Sequence, residues 1–301
     1  MVSGEFSNKV AVVTGGSRGI GREIAADFAR AGAQTVIVSS SAEHLAAASK
    51  TIAAGGPVPL AITADLRTLD GCQHVFDSVK DRFNRCDILV CSAGATRAGN
   101  FTELPDQAWI DGYALKFFGC VRMCRLFWPM LKAAKGSVVN IGGGAARSPG
   151  ADFSIGASVN AAMGNFSKAL SQLGKRDGVN VNVIHPGATE TERFYQLLEQ
   201  RAQASGKSIE QLKQEATVKD GLRRLGKPTD ISALVLFLCS EKARHIQGPR
   251  SQSMGVRPSG TIERTSIEHT HSTIIKYRQS LGLHAQIRLY IYEITVGKDQ
   301  Q

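Results

Sequence analysis

The sequence predicts an α/β fold: a doubly wound parallel sheet in a single domain. Three observations carry this expectation. Strand-like and helix-like segments alternate from Lys9 to about Gly248. The strand-like runs are short and apolar, as strands covered on both faces are. A glycine-rich turn, Thr14-Gly15-Gly16-Ser17-Arg18-Gly19-Ile20-Gly21, joins the first run to the first helical pattern. Such alternation gives a parallel sheet with helices on both faces and right-handed crossovers. Strands are expected at residues 10–14, 35–39, 58–63, 88–92, 137–141 and 179–185, with helices between them.

Each segment has its reason. Lys9-Val10-Ala11-Val12-Val13 is an apolar run of strand length. Arg22-Glu23-Ile24-Ala25-Ala26-Asp27-Phe28-Ala29-Arg30 places its apolar residues at helical spacing. Between them, the glycines let the backbone turn sharply and approach a pyrophosphate. The helix N-terminus offers unpaired N–H groups and a positive dipole end to that anion. In this context the triplet points to a Rossmann-type nucleotide loop rather than a plain strand–helix turn. Ligands bind at the carboxyl ends of parallel strands. The residues expected there are the Gly15 loop, Ser39-Ser40, Asp65, Ser92-Ala93-Gly94, Gly142-Gly143-Gly144 and Pro186-Gly187.

Composition narrows the class. The chain has 301 residues, enough to bury a large core. No apolar run is long enough to span a bilayer, and residues 1–7 show no charged-then-apolar leader. A soluble cytoplasmic protein without membrane contacts is therefore expected. Six cysteines show neither metal-ligand nor disulfide spacing, so no metal is expected. The formal charge is +10, but the basic residues are scattered without an aromatic-basic stripe. Nucleic acid is therefore not expected as a partner. An anionic cofactor accounts for part of the excess.

Several motifs, in order, resemble those of the short-chain dehydrogenase/reductase family. Residues 14–21 match T-G-x-x-x-G-x-G. Ala64-Asp65-Leu66 resembles the family's adenine-contacting Asp, and Ser92-Ala93-Gly94 its N-A-G with Ser for Asn. Pro186-Gly187 with Thr191 resembles P-G-x-x-x-T, and residues 224–231 resemble R-x-G-x-P-x-D/E-I. The resemblance covers residues 8 to 248. It implies an NAD or NADP cofactor held by Gly15, Ser17, Arg18, Gly19, Ile20 and Gly21, and by Ser39, Ser40, Asp65 and Leu66. It adds Ser92, Ala93, Gly94, Lys116, Pro186, Gly187 and Thr191. The second strand ends in Ser39-Ser40-Ser41 without a carboxylate, which favours NADP. Those hydroxyls can donate to a 2′-phosphate, and Arg18 can pair with it. Alternatively, the serines simply cap the next helix.

The family's catalytic Ser, Tyr, Lys and Asn fall on Gly143, Gly156, Asn160 and Lys116. All four differ, yet Lys116 and Asn160 look exchanged between two helices that pack together in the family. Lys116, Asn160 and Ser158 are the candidate catalytic groups. Tyr113 shares a helical face with Lys116, as a phenol or as packing. With no side chains at Gly142-Gly143-Gly144, an open pocket floor is expected. A polar helical lid is expected near 192–220.

The C-terminus departs from the pattern. The resemblance implies a seventh strand after His245-Ile246-Gln247-Gly248, but Pro249-Arg250-Ser251-Gln252-Ser253 follows. Shifting the reading frame by two nucleotides lets residues 249–259 encode Ala-Ile-Ala-Val-Asp-Gly-Gly-Ala-Thr-Lys, the missing strand. The expectation is a frameshift near 248–249, six well-formed strands with the seventh altered or missing, and an atypical tail over 249–301, either ordered or disordered. The sixth strand's edge would then be unpaired. The resemblance further implies a homodimer or homotetramer, weakened if that strand is lost, and a small-molecule substrate. Three functions stay open: an NADP(H)-dependent oxidoreductase on a carbonyl or alcohol, a non-catalytic cofactor-binding protein, and a non-redox enzyme using Lys116.

Overall fold

A computed structural model describes residues 4–219, 223–248 and 250–252. They lie within one compact unit, Met1–Pro258; the second unit, Ser259–Gln301, falls outside the described residues. The expected tail therefore lies outside them too, apart from 250–252.

The strands are β1 (Val10–Thr14), β2 (Gln34–Ser39), β3 (Leu60–Thr63), β4 (Ile88–Cys91), β5 (Ser137–Ile141), β6 (Asn180–His185) and β7 (Arg250–Gln252). They form one parallel sheet in the order β3-β2-β1-β4-β5-β6-β7. The order reverses beside β1, the switch point at which such sheets open a crevice. Strand β3 begins at Leu60 rather than Val58, whose side chain is 74% exposed.

The helices are α1 (Gly19–Arg30), α2 (Ala42–Ala53), α3 (Leu69–Phe83), α4 (Asp106–Gly112), α5 (Gly119–Ala133), α6 (Ser154–Asp177), α7 (Glu192–Ser205), α8 (Ile209–Lys219) and α9 (Pro228–Cys239). Along β1, side chains alternate between two cores. Ala11 and Val13 pack with Ile24 and Phe28 of α1 and Val235 of α9. Val10 and Val12 pack with Val75 of α3, Met123 and Phe127 of α5 and Met163 of α6. Burial on both faces explains why the strands read as continuous apolar runs.

The segment in which a helical lid is expected holds two helices, α7 and α8. Gly206, at φ +70°, ends α7 in the left-handed region that favours glycine. The sixth strand's edge corrects the expectation of an unpaired edge. Gln247 bridges Val181 N, Ser171 O and Val179 O, and Gly248 N donates to Val181 O at 3.0 Å. This leads the chain alongside β6, where Val183, Ile184 and His185 pair with Arg250, Ser251 and Gln252. Ladder pairing needs extended backbone, not the family's side-chain pattern, so a short seventh strand forms.

Candidate active site

One cleft lies along the carboxyl ends of β1, β2 and β4. The loop after β1 reaches it through Gly15, whose φ is +67° and where a Cβ would stand 2.9 Å from the Ala93 backbone. Only glycine lets the two loops approach this closely. Helix α1 starts there with no side-chain cap and no acidic residue in its first turn. Its N-terminal N–H groups are left to the cleft.

The lining brings together Gly15, Ser17, Arg18, Gly19, Ile20, Gly21, Ser39, Ser40, Asp65, Leu66, Ser92, Ala93, Gly94, Lys116 and Thr191. Of the residues the sequence nominated for cofactor contact, Pro186 and Gly187 stand outside it. Ser41 is the cap among the three serines: its hydroxyl accepts from His44 N at 3.2 Å. Ser39 and Ser40 remain at the cleft wall. Asp65 is locked to Arg67 by paired contacts of 3.0 and 2.8 Å, and this holds its carboxyl below the usual range. Arg18 pairs with no carboxylate among the described residues.

Arg67, Leu115, Glu192 and Arg193 also line the cleft and were missed. Arg67 sits two residues after Asp65, an ordinary turn spacing. Glu192 and Arg193 open α7 and reach the cleft because Thr191 lies against the glycine loop, 3.4 Å from where a Gly19 Cβ would be. An Arg22–Glu192 contact of 3.4 Å ties the two helices.

Lys116 sits in a π-helical turn, Tyr113–Phe118, between α4 and α5. Such turns insert an extra residue into the helical register and often mark functional sites. The half-buried Lys116 donates from Nζ to Gly142 O at 3.0 Å. Burial of the ammonium lowers its pKa to about 8. Its stem crosses Gly94, where a Cβ would stand 2.8 Å from Lys116 Cδ. Tyr113 packs on Phe117, with ring centroids 6.2 Å apart, and does not line the cleft.

The open floor expected from the glycines is not found, because other side chains fill it. A Cβ at Gly142 would stand 2.5 Å from His185 Nδ1. One at Gly143 would stand 2.6 Å from Asn160 Nδ2, and one at Gly156 would strike the Phe153 ring. The buried Asn160 faces Gly143 rather than the cleft, and its Oδ1 has no hydrogen-bond partner among the described residues. Ser158 Oγ is bonded to Ile155 O of its own helix at 3.0 Å, outside the cleft. Of the three catalytic candidates, only Lys116 lines it.

The cysteines hold one surprise. Sγ atoms of Cys91, Cys120 and Cys124 lie within 4.8 Å of one another, an assembly their spacing does not reveal. All three are buried in the apolar core beneath the cleft, and no helix among the described residues is long and apolar enough to cross a membrane.

This fold and cleft define a dinucleotide-binding α/β protein. Comparison with known proteins is more specific. The family model for short chain dehydrogenase matches residues 9–202. The 2,3-dihydro-2,3-dihydroxybenzoate dehydrogenase of Bacillus subtilis is 31% identical over 246 residues, covering 80% of this chain and 92% of its own. The 3-oxoacyl-[acyl-carrier-protein] reductase FabG of Escherichia coli is 30% identical over 245 residues, covering 81% and 94%. L-sorbose reductase from Gluconobacter frateurii, solved with NADPH and L-sorbose, superposes with a TM-score of 0.81 at 28% identity, covering 86% of this chain and all of its own. The chain belongs to the short-chain dehydrogenase/reductase family of NAD(P)-dependent oxidoreductases.

Proposed function

We propose that this protein is an NADP(H)-dependent oxidoreductase that interconverts a carbonyl and an alcohol, with Lys116 as the proton donor and acceptor. The observation that carries the reading is Lys116 itself: a half-buried amine on the cleft wall, hydrogen-bonded to Gly142 O, with a pKa lowered to about 8. An acid–base group works best with a pKa near the working pH. The family's Tyr position holds Gly156, and Phe153 fills its space.

The residues present fit a dinucleotide. The Gly15 turn and the uncapped start of α1 suit a pyrophosphate. Ser39, Ser40 and Arg18 suit a 2′-phosphate, since both carboxylates that line the cleft are paired, Asp65 with Arg67 and Glu192 with Arg22. Bound NADP(H) supplies or accepts the hydride. Lys116 Nζ, when protonated, donates to the oxygen of the carbonyl being reduced; as the neutral amine it accepts the hydroxyl proton in the reverse direction. Gly142 O fixes the direction of Nζ. Arg22–Glu192 ties the start of α7 to α1, and Arg193 ties it to Thr96 O after β4; together they hold the lid over the cleft and help exclude water.

The test is a fluorescence titration with NADPH and NADH, followed by an aldehyde and ketone panel read at the nicotinamide absorbance band. NADPH is expected to bind more tightly, and Arg18→Leu to remove about tenfold of that preference. Lys116→Met is expected to abolish turnover while leaving cofactor bound. Cofactor binding without turnover of any carbonyl or alcohol would favour a non-catalytic role.

A further inference from the structure

We infer that the substrate carries a carboxylate beside the reacting carbonyl, bound by Arg193 and Arg97; this inference rests on the oxidoreductase reading above. A second cleft is lined by Ala95, Thr96, Arg97, Ala98 and Arg193. Ala95 and Arg193 also line the cofactor cleft, so the two share a wall. Lys116 and Gly94 lie on the cofactor side of that wall. A molecule with its carbonyl at Lys116 would extend toward Arg97.

The charge at this place is one-sided. The second cleft contains two guanidiniums and no carboxylate. The acidic residues of the neighbouring cleft are already committed: Glu192 contacts Arg22 at 3.4 Å, and Asp65 contacts Arg67 at 2.8 Å. Arg193 spends one N–H on Thr96 O at 2.9 Å, which fixes its guanidinium against the wall of the second cleft. Among the described residues no other partner of Arg193 is found. Arg97 makes no ion pair among the described residues. The other lining residues, Ala95, Thr96 and Ala98, have short side chains. Guanidinium recognises carboxylate through paired donors in fixed geometry. Other lining residues offer no apolar bed: Ala95 and Ala98 are the only aliphatic side chains.

A role in cofactor binding is the rival for Arg193, because it also borders the cofactor cleft. Arg97 borders only the substrate side. The two variants therefore separate anion recognition from cofactor binding.

The experiment compares 2- and 3-oxo acids with their methyl esters, using the full chain saturated with NADPH. Phenylpyruvate, pyruvate and acetoacetate are the probes. The ratio of kcat/KM for acid over ester is expected to exceed about tenfold, and to fall by at least about tenfold in Arg193→Met and Arg97→Met. NADPH affinity is measured in the same variants and is expected to hold in Arg97→Met. Calorimetric binding of the acids and esters to the NADP⁺-loaded protein reads the inference without turnover. Selective acid binding that is lost in Arg97→Met supports it even where no carbonyl turns over, an outcome that removes only the oxidoreductase reading. Esters bound or reduced as well as acids, or no acid of the panel bound, would overturn it.

Discussion

Replacing Lys116 by Met is expected to make the protein more stable near neutral pH. Folding lowers the Lys116 pKa from 10.5 to about 8. At about 1.4 kcal/mol per pKa unit, holding the ammonium in the half-buried site costs about 3 kcal/mol at neutral pH, an upper bound because part of the group meets water. Met keeps the length of the stem that crosses Gly94 and removes the charge. It also forfeits the hydrogen bond to Gly142 O, worth about 1 kcal/mol. The net gain is then about 2 kcal/mol at about pH 7. Between about pH 8 and 10.5 the unfolded chain keeps a proton that the folded chain has lost. Wild-type stability therefore rises with pH through that window, and the advantage of the variant shrinks. Above it only the lost hydrogen bond remains, and the order reverses. Urea unfolding of both proteins without cofactor, at about pH 7 and about pH 10, measures this. A variant no more stable than wild type at neutral pH, or a difference indifferent to pH, would refute the reasoning.

Four further outcomes are expected. Carbonyl reduction declines as pH rises through about 8, because the donor form of Lys116 is lost, while alcohol oxidation rises over the same range; pH–rate profiles in both directions check this. Gly143→Ser places a Cβ 2.6 Å from Asn160 Nδ2 and costs about 1–3 kcal/mol, with Asn160→Ala restoring most of it; thermal unfolding of the single and double variants measures the coupling. Gly21→Ala drives a methyl into the backbone oxygen of Gly15 and is expected to weaken NADPH binding, read by titration, because the turn that meets the pyrophosphate must open. A gene shifted by two nucleotides after codon 248 is expected to raise Tm over the present chain by extending the pairing beyond Val183–His185; an unchanged Tm would argue against the frameshift.

The sheet was legible because its strands are buried on both faces, so Val10–Thr14 and Ile88–Cys91 betray themselves by continuous apolar character. The cleft was legible for a different reason. Parallel strands point their carboxyl ends to one side, so naming the strand ends names the lining. Arg193 escaped because it reaches the cleft through the path of α7, which no local pattern records. The filled floor escaped because emptiness was inferred from glycine alone. His185 and Asn160, which occupy that space, come from different elements and only the fold brings them there. The seventh strand was judged by side chains, although a three-residue ladder is a matter of backbone.

On the correspondence that the family resemblance implies, in which Gly143 and Gly156 stand for the catalytic Ser and Tyr, these two glycines are better explained by a proposed rebuilt site than by separate losses. Gly143 faces the Asn160 amide and Gly156 the Phe153 ring; beside them, Gly94 and Gly142, which are not catalytic positions, face the stem of Lys116 and the His185 ring. Loss of function alone would relax each position independently and would leave cavities or clashes where a partner had not followed. Here both missing Cβ atoms, at Gly143 and Gly156, are matched by a group standing where each would have been. The exchange of Lys and Asn that the resemblance implies between the π-helical turn and α6 would belong to the same pattern. It moves the cation from the helix that carried the family's Tyr to the wall of the cleft, where Nζ rests on Gly142 O, and it buries the amide behind Gly143. Chemistry at this site should then track Lys116 alone. Restoring Tyr at 156 is expected to bring no activity while Phe153 holds its place, and turnover assays of Gly156→Tyr with and without Phe153→Ala would decide between a rebuilt site and a decayed one.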